Sequence, residues 1–223
     1  EHLVHPLLSA MSEVSNKKVL VVGGGEGATV REVLRWSAGS VAKVDWVDID
    51  GDLVDLCRRH LGWAADSVYE DPRLSYYPTD INVFLDRKEV AVYDAIILDL
   101  PDPDVDELKK AGPGSSVLYG AMFNTRILTH LKPDGGLVSH CGPIRPGADD
   151  TVCRPGLTWL AVTLFSEGIS SPYHVCIPSF QGEWGFIMNK NAMNYDPILP
   201  GLSVWDKLTR SFSFNWPNYW RVL

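Results

Sequence analysis

The sequence predicts an α/β fold with a doubly wound sheet that is mostly parallel and carries an antiparallel pair of strands at its C-terminal end. Short apolar, often β-branched runs alternate with segments of helical length, an order typical of parallel sheets covered by helices. The first apolar run leads directly into a glycine-rich turn. The chain has 223 residues, of which 45% are hydrophobic and 22% charged, as in an ordinary globular domain.

The glycine turn is the strongest local signal for a ligand. The strand Val19–Val22 runs into Gly23, Gly25 and Ala28, which fit the pattern G-x-G-x-x-G/A. Small residues at these places allow a tight turn and a close approach of a nucleotide to the backbone, as in Rossmann-like domains. Glu26 lies inside the turn and would repel a pyrophosphate. We therefore expect a nucleoside that carries a cationic group rather than a dinucleotide.

The first half of the chain reads as strand and helix in alternation. We predict strands at Lys18–Val22, Lys43–Asp48, Leu74–Tyr77 and Tyr93–Asp99, and helices at Ala28–Arg35, Leu53–Leu61 and Ile81–Asp86. The run Ala95–Leu98 is apolar throughout, which suits a strand buried on both faces.

The second half is predicted to complete the sheet. Pro101–Ser116 is rich in proline, aspartate, glycine and lysine and reads as a long loop of the kind that covers a site. The predicted elements that follow are a helix at Leu118–Leu131 closed by Lys132–Gly136, a strand at Leu137–His140, a helix at Gly156–Phe165 and strands at Tyr173–Ile177 and Glu183–Asn189. We expect residues 1–193 to form the catalytic domain and residues 194–223 to be an aromatic extension packed on it.

Charge and cysteine content narrow the class of partner. A formal net charge of −8 disfavours nucleic acid and anionic membranes and favours small cations. The four cysteines lack the spacing of a zinc site or a disulfide framework, which predicts reduced thiols in a cytoplasmic protein without a metal. No secretory signal or apolar run of membrane-spanning length is visible.

Polar residues follow each predicted strand. In open α/β sheets, ligands bind beyond the carboxyl ends of the strands. A single aspartate at such a place is as often a helix cap or turn former, but a set of them predicts a site for a cation or for proton removal from an amine. The set comprises Glu26, Asp48, Asp80, Asp99, Asp102 and His140.

Several further motifs occur in register with the glycine turn. Beside Gly23–Gly27 they are His5-Pro6, Arg31–Leu34, Asp48-Ile49-Asp50, Asp71-Pro72-Arg73, Thr79-Asp80, Asp99–Pro103, Leu118-Tyr119, Pro178-Ser179-Phe180 and Glu183–Phe186. Over roughly Glu1 to Lys190 their order and spacing resemble the spermidine synthase family of aminopropyltransferases. Glu26 and the Pro-Ser-Phe segment look most similar to thermospermine synthases and their bacterial relatives. The resemblance implies a sheet of the class I S-adenosylmethionine-dependent transferase type.

The resemblance also implies a co-substrate, decarboxylated S-adenosylmethionine, and no permanently bound cofactor. The implied donor-binding residues are Gly23, Gly25, Glu26, Gly27, Asp48, Asp80, Ile81 and Asp99. Among them, Asp48 resembles the carboxylate that binds the ribose, Asp80 the group that accepts from the adenine amino group, and Glu26 the partner of the aminopropyl ammonium.

The resemblance assigns a polyamine as the second substrate. Asp99 is similar to the general base that deprotonates the attacking amine, and Asp102 to a carboxylate that holds it. Phe180 and Trp184 are candidates for an apolar wall beside the amine chain. His140 stands where the family commonly has glutamine, so either this histidine is neutral or the acceptor amine differs.

Other features remain open at this level. The N-terminal β-hairpin region that supplies two site residues in relatives would lie before Glu1, and relatives are often dimers or tetramers. His2, His5 and His60 have no partner visible in the sequence and read as surface or packing residues. Two alternatives are a methyltransferase or other enzyme that uses S-adenosylmethionine, and a homologue that binds a nucleoside without catalysis.

Overall fold

The computed structural model describes residues 1–62, 66–87, 89–102, 118–144 and 171–189. The described strands are β1 (Lys17–Gly23), β2 (Val41–Asp48), β3 (Leu74–Pro78), β4 (Tyr93–Asp99), β5 (Leu131–Ile144), β6 (Ser171–Ile177) and β7 (Gly182–Met188). The described helices are α1 (His5–Ala10), α2 (Ala28–Leu34), α3 (Gly51–His60), α4 (Asp66–Tyr69), α5 (Ile81–Leu85) and α6 (Ala121–Thr129), with a 3-10 turn at Pro178–Phe180.

All seven described strands belong to one sheet in the order β3-β2-β1-β4-β5-β7-β6. The pairings among β1 to β5 are parallel, whereas β7 pairs antiparallel with both β5 and β6. This confirms the predicted α/β class, with its mostly parallel sheet and antiparallel C-terminal pair. The chain reverses its direction of winding between β1 and β4, and ligands bind at such a point in open α/β sheets.

The central strands are buried on both faces of the sheet. Leu20 and Ile96 pack into the apolar layer on one face, and Val21 and Ile97 into the layer on the other. Side chains alternate between the faces of a strand, so strands covered on both sides need continuous apolar runs. The apolar runs in β1 and β4 meet this requirement. The glycine and aspartate residues that follow these runs lie where the carboxyl ends of the parallel strands meet.

The first helix is attached to α2 by a buried polar cluster. Trp36 Nε1 donates to His5 Nδ1 over 3.1 Å, and His5 Nε2 lies 2.8 Å from Glu32 Oε2. Since Nδ1 accepts, Nε2 carries the proton and His5 is neutral. Burial opposes ionisation of Glu32, but the hydrogen bond from His5 and the positive charges of the N-terminal amine and Arg35 outweigh it and lower the pKa of Glu32 to about 2. Of the two expected readings, surface or packing residue, the structure shows the packing one for His5, with partners that are distant in the sequence.

The helix predicted at Leu118–Leu131 is shorter than expected. Tyr119 has a positive φ of 64°, and Gly120 is the N-cap, so α6 begins only at Ala121. Its C-cap is His130, and Leu131 already belongs to β5. Lys132–Gly136, predicted as a closing turn, lies inside β5 where the register with β4 shifts.

Most other boundaries agree to within one or two residues. The helix predicted from Leu53 begins at Gly51 instead, because the Asp50 carboxylate caps it by accepting from the Leu53 amide over 2.8 Å. The short helix α4 was not predicted.

Some predicted segments lie outside the described residues: the loop beyond Asp102, the helix at Gly156–Phe165 and the extension at 194–223. None of the described helices is long and apolar enough to cross a membrane.

Candidate active site

The glycine turn is fixed against the end of β4. Gly23 has a φ of +82°, and a Cβ there would lie 2.1 Å from the Asp99 carbonyl oxygen. The Gly24 amide donates to the same oxygen over 2.9 Å. Gly27, with a φ of +81°, is the N-cap of α2. Contact with the neighbouring backbone and left-handed geometry therefore both require glycine in this turn.

One hydrogen bond and the space beside one glycine orient the Asp99 side chain. Thr29 Oγ1, in the first turn of α2, donates to Asp99 Oδ2 over 2.6 Å. A Cβ on Gly24 would lie 2.6 Å from the same oxygen, so glycine there makes room for the carboxylate. Sequence reasoning had not singled out Thr29, and it had included Gly24 in the glycine turn without a role of its own. Their importance depends on the approach of α2 to β4, which no local pattern reveals.

One cavity, the glycine-loop cavity, opens along the glycine turn and has a volume of about 420 Å³. Its described lining contains Gly23, Gly24, Gly25, Glu26, Asp48, Asp80, Ile81 and Asp99 among other residues. Asp48 Oδ1 accepts from the Asp50 amide over 2.8 Å, and Asp80 Oδ1 accepts from the Asn82 amide over 2.7 Å. Each carboxylate keeps its second oxygen outside these bonds, and a bound nucleoside can use it.

A second cavity, the β6–β7 cavity, has a volume of about 590 Å³. Its apolar wall includes Phe180 and Trp184, whose ring centroids are 4.6 Å apart, and its described lining also contains His140. Glu26 and Asp99 line both cavities. The structure therefore brings together most of the residues that sequence reasoning assigned to the two substrates, whereas Gly27 and Asp102 are not part of either described lining. The place where Glu26 and Asp99 border both cavities is called the junction below.

The clustered carboxylates at the junction favour binding of a cation. Burial and the charges of Asp99 and Asp48 raise the pKa of Glu26. Burial, with the charges of Asp50 and Asp99, raises the pKa of Asp48. The described residues that line the two cavities include no lysine or arginine. A ligand that carries positive charge relieves the repulsion between these carboxylates.

His140 lines the β6–β7 cavity, and Asp102 lies next to His140 outside the described lining. His140 Nε2 is in hydrogen-bond contact with the Leu100 carbonyl oxygen. Its Nδ1 lies 3.4 Å from Asp102 Oδ1. Gly142 follows a register irregularity in β5 and has a φ of +83°, and a Cβ there would lie 3.4 Å from the Asp102 carboxylate. The Asp102 side chain is half exposed, so one face of its carboxylate reaches solvent.

A comparison with family models gives one match, to the spermine/spermidine synthase domain over residues 1–197. The chain belongs to this family. The match covers most of the chain and includes every site residue named above. It confirms the family that the sequence motifs resembled.

Curated proteins support the same membership. The chain is 35% identical over 202 residues to a polyamine aminopropyltransferase of Synechococcus sp., and the match covers 90% of this chain and 59% of the relative. It is 35% identical over 197 residues to polyamine aminopropyltransferase 2 of Bacillus anthracis, covering 86% of this chain and 49% of the relative. The chain thus spans about half to three fifths of the length of these relatives.

Solved structures show the same fold. A spermidine synthase in complex with the transition-state analogue AdoDATO has a TM-score of 0.76 at 24% identity, and the match covers 99% of this chain and 73% of that one. Spermidine synthase from Thermotoga maritima has a TM-score of 0.74 at 23% identity, covering 99% and 72%.

Proposed function

We propose that this protein is a polyamine aminopropyltransferase that moves the aminopropyl group of decarboxylated S-adenosylmethionine to an amine of a polyamine. The observation that carries the proposal is the shared junction. Glu26 and Asp99 line both cavities, so a donor in one cavity and an acceptor in the other meet at two carboxylates. The names of the curated relatives support the same reaction.

The donor fits the glycine-loop cavity. Its ribose hydroxyls would bind Asp48, its adenine would lie near Asp80 and Ile81, and its ammonium would pair with Glu26. A nucleoside with a sulfonium and an ammonium matches the acidic, lysine-free lining described above. The spermidine synthase of similar fold was solved with the analogue AdoDATO, which supports a ligand of this class.

The chemical step needs a base at the junction. A polyamine nitrogen is protonated in water and must lose its proton before it attacks, and Asp99 is the carboxylate that would accept it. The nitrogen then forms a bond to the aminopropyl carbon next to sulfur. The C–S bond breaks with its electron pair on sulfur, and neutral methylthioadenosine leaves. Thr29 and Gly24 hold Asp99 in the orientation for this transfer.

Glu26 separates this reaction from methyl transfer. The carboxylate of ordinary S-adenosylmethionine would face the carboxylates of Glu26 and Asp99. Calorimetry with the two donors is therefore expected to show tighter binding of the decarboxylated one. Tighter binding of the ordinary donor would instead support a methyltransferase.

The direct test is release of methylthioadenosine from decarboxylated donor with putrescine, spermidine and other di- and triamines. We propose a spermidine or thermospermine synthase-like acceptor, and the panel identifies which amine reacts. Asp99→Asn should lower kcat by about 10² to 10⁴ while donor affinity stays within a few-fold. Donor binding without release of methylthioadenosine by any amine would identify a non-catalytic homologue. An active Asp99→Asn variant would refute the role of Asp99.

The assembly and cellular site remain predictions from the sequence. We propose a homodimer or homotetramer in the cytoplasm that acts on small cationic substrates. Analytical ultracentrifugation of the purified chain measures its oligomeric state.

A further inference from the structure

We infer that His140 controls the affinity for the acceptor amine through Asp102: neutral His140 leaves the Asp102 carboxylate to the amine, whereas protonated His140 binds that carboxylate itself. The inference rests on the proposed function and deepens it. His140 acts through Asp102 and is a positioning residue rather than a catalytic one.

The first observation is that Nε2 of His140 already makes a hydrogen bond within the protein. It contacts the Leu100 carbonyl oxygen, which can only accept, so Nε2 carries a proton and donates it. In the neutral ring, Nδ1 is then an acceptor without a hydrogen. The proton state of His140 is therefore decided at Nδ1 alone.

The second observation is what surrounds Nδ1. Nδ1 is buried and has no hydrogen-bond partner among the residues that the structure describes. Asp102 Oδ1 faces it at 3.4 Å, and without a hydrogen between them these two acceptors do not attract each other. A proton on Nδ1 turns the same contact into a charge-assisted pair. The Asp102 carboxylate, half exposed, is then neutralised from its inner side.

The role that the family resemblance implies for Asp102 is to hold the acceptor amine. A substrate ammonium and a protonated His140 would then need the same carboxylate. An imidazolium at His140 removes the local negative charge and adds a positive one, and both effects oppose an ammonium. The proton on His140 and the amine are therefore competing cations for Asp102.

Other titratable groups face the same space and also respond to pH. Those that line the β6–β7 cavity are Glu26, Asp99, Glu1, His2 and Cys176. Cys141 of β5 and Tyr119 before α6 lie close enough to Asp102 for its charge to contribute to their raised pKa values. Protonation of any of these carboxylates also weakens cation binding. The contribution of His140 is isolated by replacing it with glutamine, whose amide can donate to the Leu100 carbonyl and gains no proton.

The test is calorimetric titration of spermidine into protein saturated with methylthioadenosine, at pH 8.0 and pH 6.0, so that no turnover occurs. Histidine changes charge within this range. We expect the wild-type Kd to rise about tenfold or more at pH 6.0 and His140→Gln to show less than a threefold change. Asp102→Asn should bind weakly at both pH values. His60→Gln, which alters an exposed histidine at the end of α3, should follow the wild type.

A second measurement serves if His140→Gln does not fold. In wild-type protein at pH 6.0, spermidine binding should release a proton, measured from binding heats in buffers of different ionisation enthalpy. Asp102→Asn should release less. Steady-state kinetics should show the same effect as a rise in the acceptor KM at low pH with kcat changed far less.

The outcomes separate the two proposals. Equal pH dependence in the wild type and in His140→Gln overturns this inference while turnover by the wild type sustains the proposed function. Absence of spermidine binding at any pH overturns the inference, since there is then no amine for Asp102 to hold. Absence of methylthioadenosine release with every amine overturns the proposed function alone if spermidine still binds with the expected pH dependence.

Discussion

The orientation of Asp99 depends on two neighbouring residues, Thr29 and Gly24. Thr29 donates to its Oδ2, and the space left by Gly24 lets the carboxylate lie against the turn. A general base must be held within hydrogen-bond reach of the proton that it removes. The orientation of Asp99 is therefore a property of the contact between α2 and β4.

Thr29→Val should lower kcat about tenfold because the carboxylate loses the hydrogen bond that orients it. The KM values of both substrates should change less than kcat. Thr29→Ser keeps the hydroxyl and should restore most of the activity, which distinguishes orientation from simple packing. Steady-state kinetics of the three proteins provide the measurement, and an unaffected kcat in Thr29→Val would exclude this role.

Glu26 should release a proton when the donor binds at mildly acidic pH. Burial and neighbouring carboxylates raise its pKa, and the donor ammonium favours the ionised form, so donor binding shifts Glu26 toward ionisation. Binding heats in several buffers measure the released proton. Glu26→Gln should release fewer protons and bind the donor about tenfold to a hundredfold more weakly. Identical proton release by both proteins would contradict this assignment.

Residue types at strand ends were predictable, whereas their supporting contacts were not. Asp48 and Asp99 stand out because each directly follows an apolar run, and Glu26 because it is a charged residue inside the glycine turn. Thr29 looks ordinary in the sequence, and Gly24 is visible only as one glycine of the turn, since the packing of α2 against β4 is what brings both to the Asp99 carboxylate.

At the scale of elements, α1 stabilises the helix that begins at the glycine turn. The buried Glu32 of α2 joins His5 of α1 to Arg31 and Arg35 of its own helix. These hydrogen bonds satisfy a carboxylate that would otherwise be costly to bury. The cluster therefore connects the N-terminal segment to the position of the turn.

The Glu32 cluster predicts a specific loss of stability in acid. The pKa of Glu32 is lowered from 4.5 to about 2 on folding, so its contribution is complete above pH 4.5 and disappears as the pH falls toward 2. This contribution is about 3 kcal/mol. Urea unfolding should show a smaller decline in the free energy of unfolding between pH 5 and pH 3 for Glu32→Gln than for the wild type.

A matched control is Glu13→Gln, which removes an exposed glutamate from the same N-terminal region. It should keep the pH dependence of the wild type. If Glu32→Gln and Glu13→Gln declined equally in acid, the cluster would not be the source of the effect.

The strands were easier to predict than the start of α6. Apolar runs such as Ala95–Leu98 are local signals for buried strands. The left-handed conformation of Tyr119 instead depends on its burial against Phe123, where the rings are 6.3 Å apart. A helix pattern in the sequence cannot show that tertiary packing moves the start of the helix from Leu118 to Ala121, three residues later.

At the scale of the whole molecule, charge should assist the capture of the cationic substrate. The formal net charge is −8, and the cavity linings carry several carboxylates. Raising NaCl from about 20 to about 500 mM shortens the Debye length from roughly 20 to roughly 4 Å. The KM for spermidine should then rise several-fold, while the Kd of neutral methylthioadenosine should stay within twofold. Equal salt dependence of both ligands would refute electrostatic capture.

The division of the cavities along the chain has a consequence for how such a protein can evolve. The described lining of the glycine-loop cavity comes from residues 22–118, whereas Val175 to Phe186 line only the β6–β7 cavity. Mutations in that late segment can therefore reshape the space for the amine while the donor pocket and its two shared carboxylates keep their sequence. Under the proposed function, mutations confined to the antiparallel hairpin of β6 and β7 can change the preferred acceptor amine. The intermediate variants would still bind the donor.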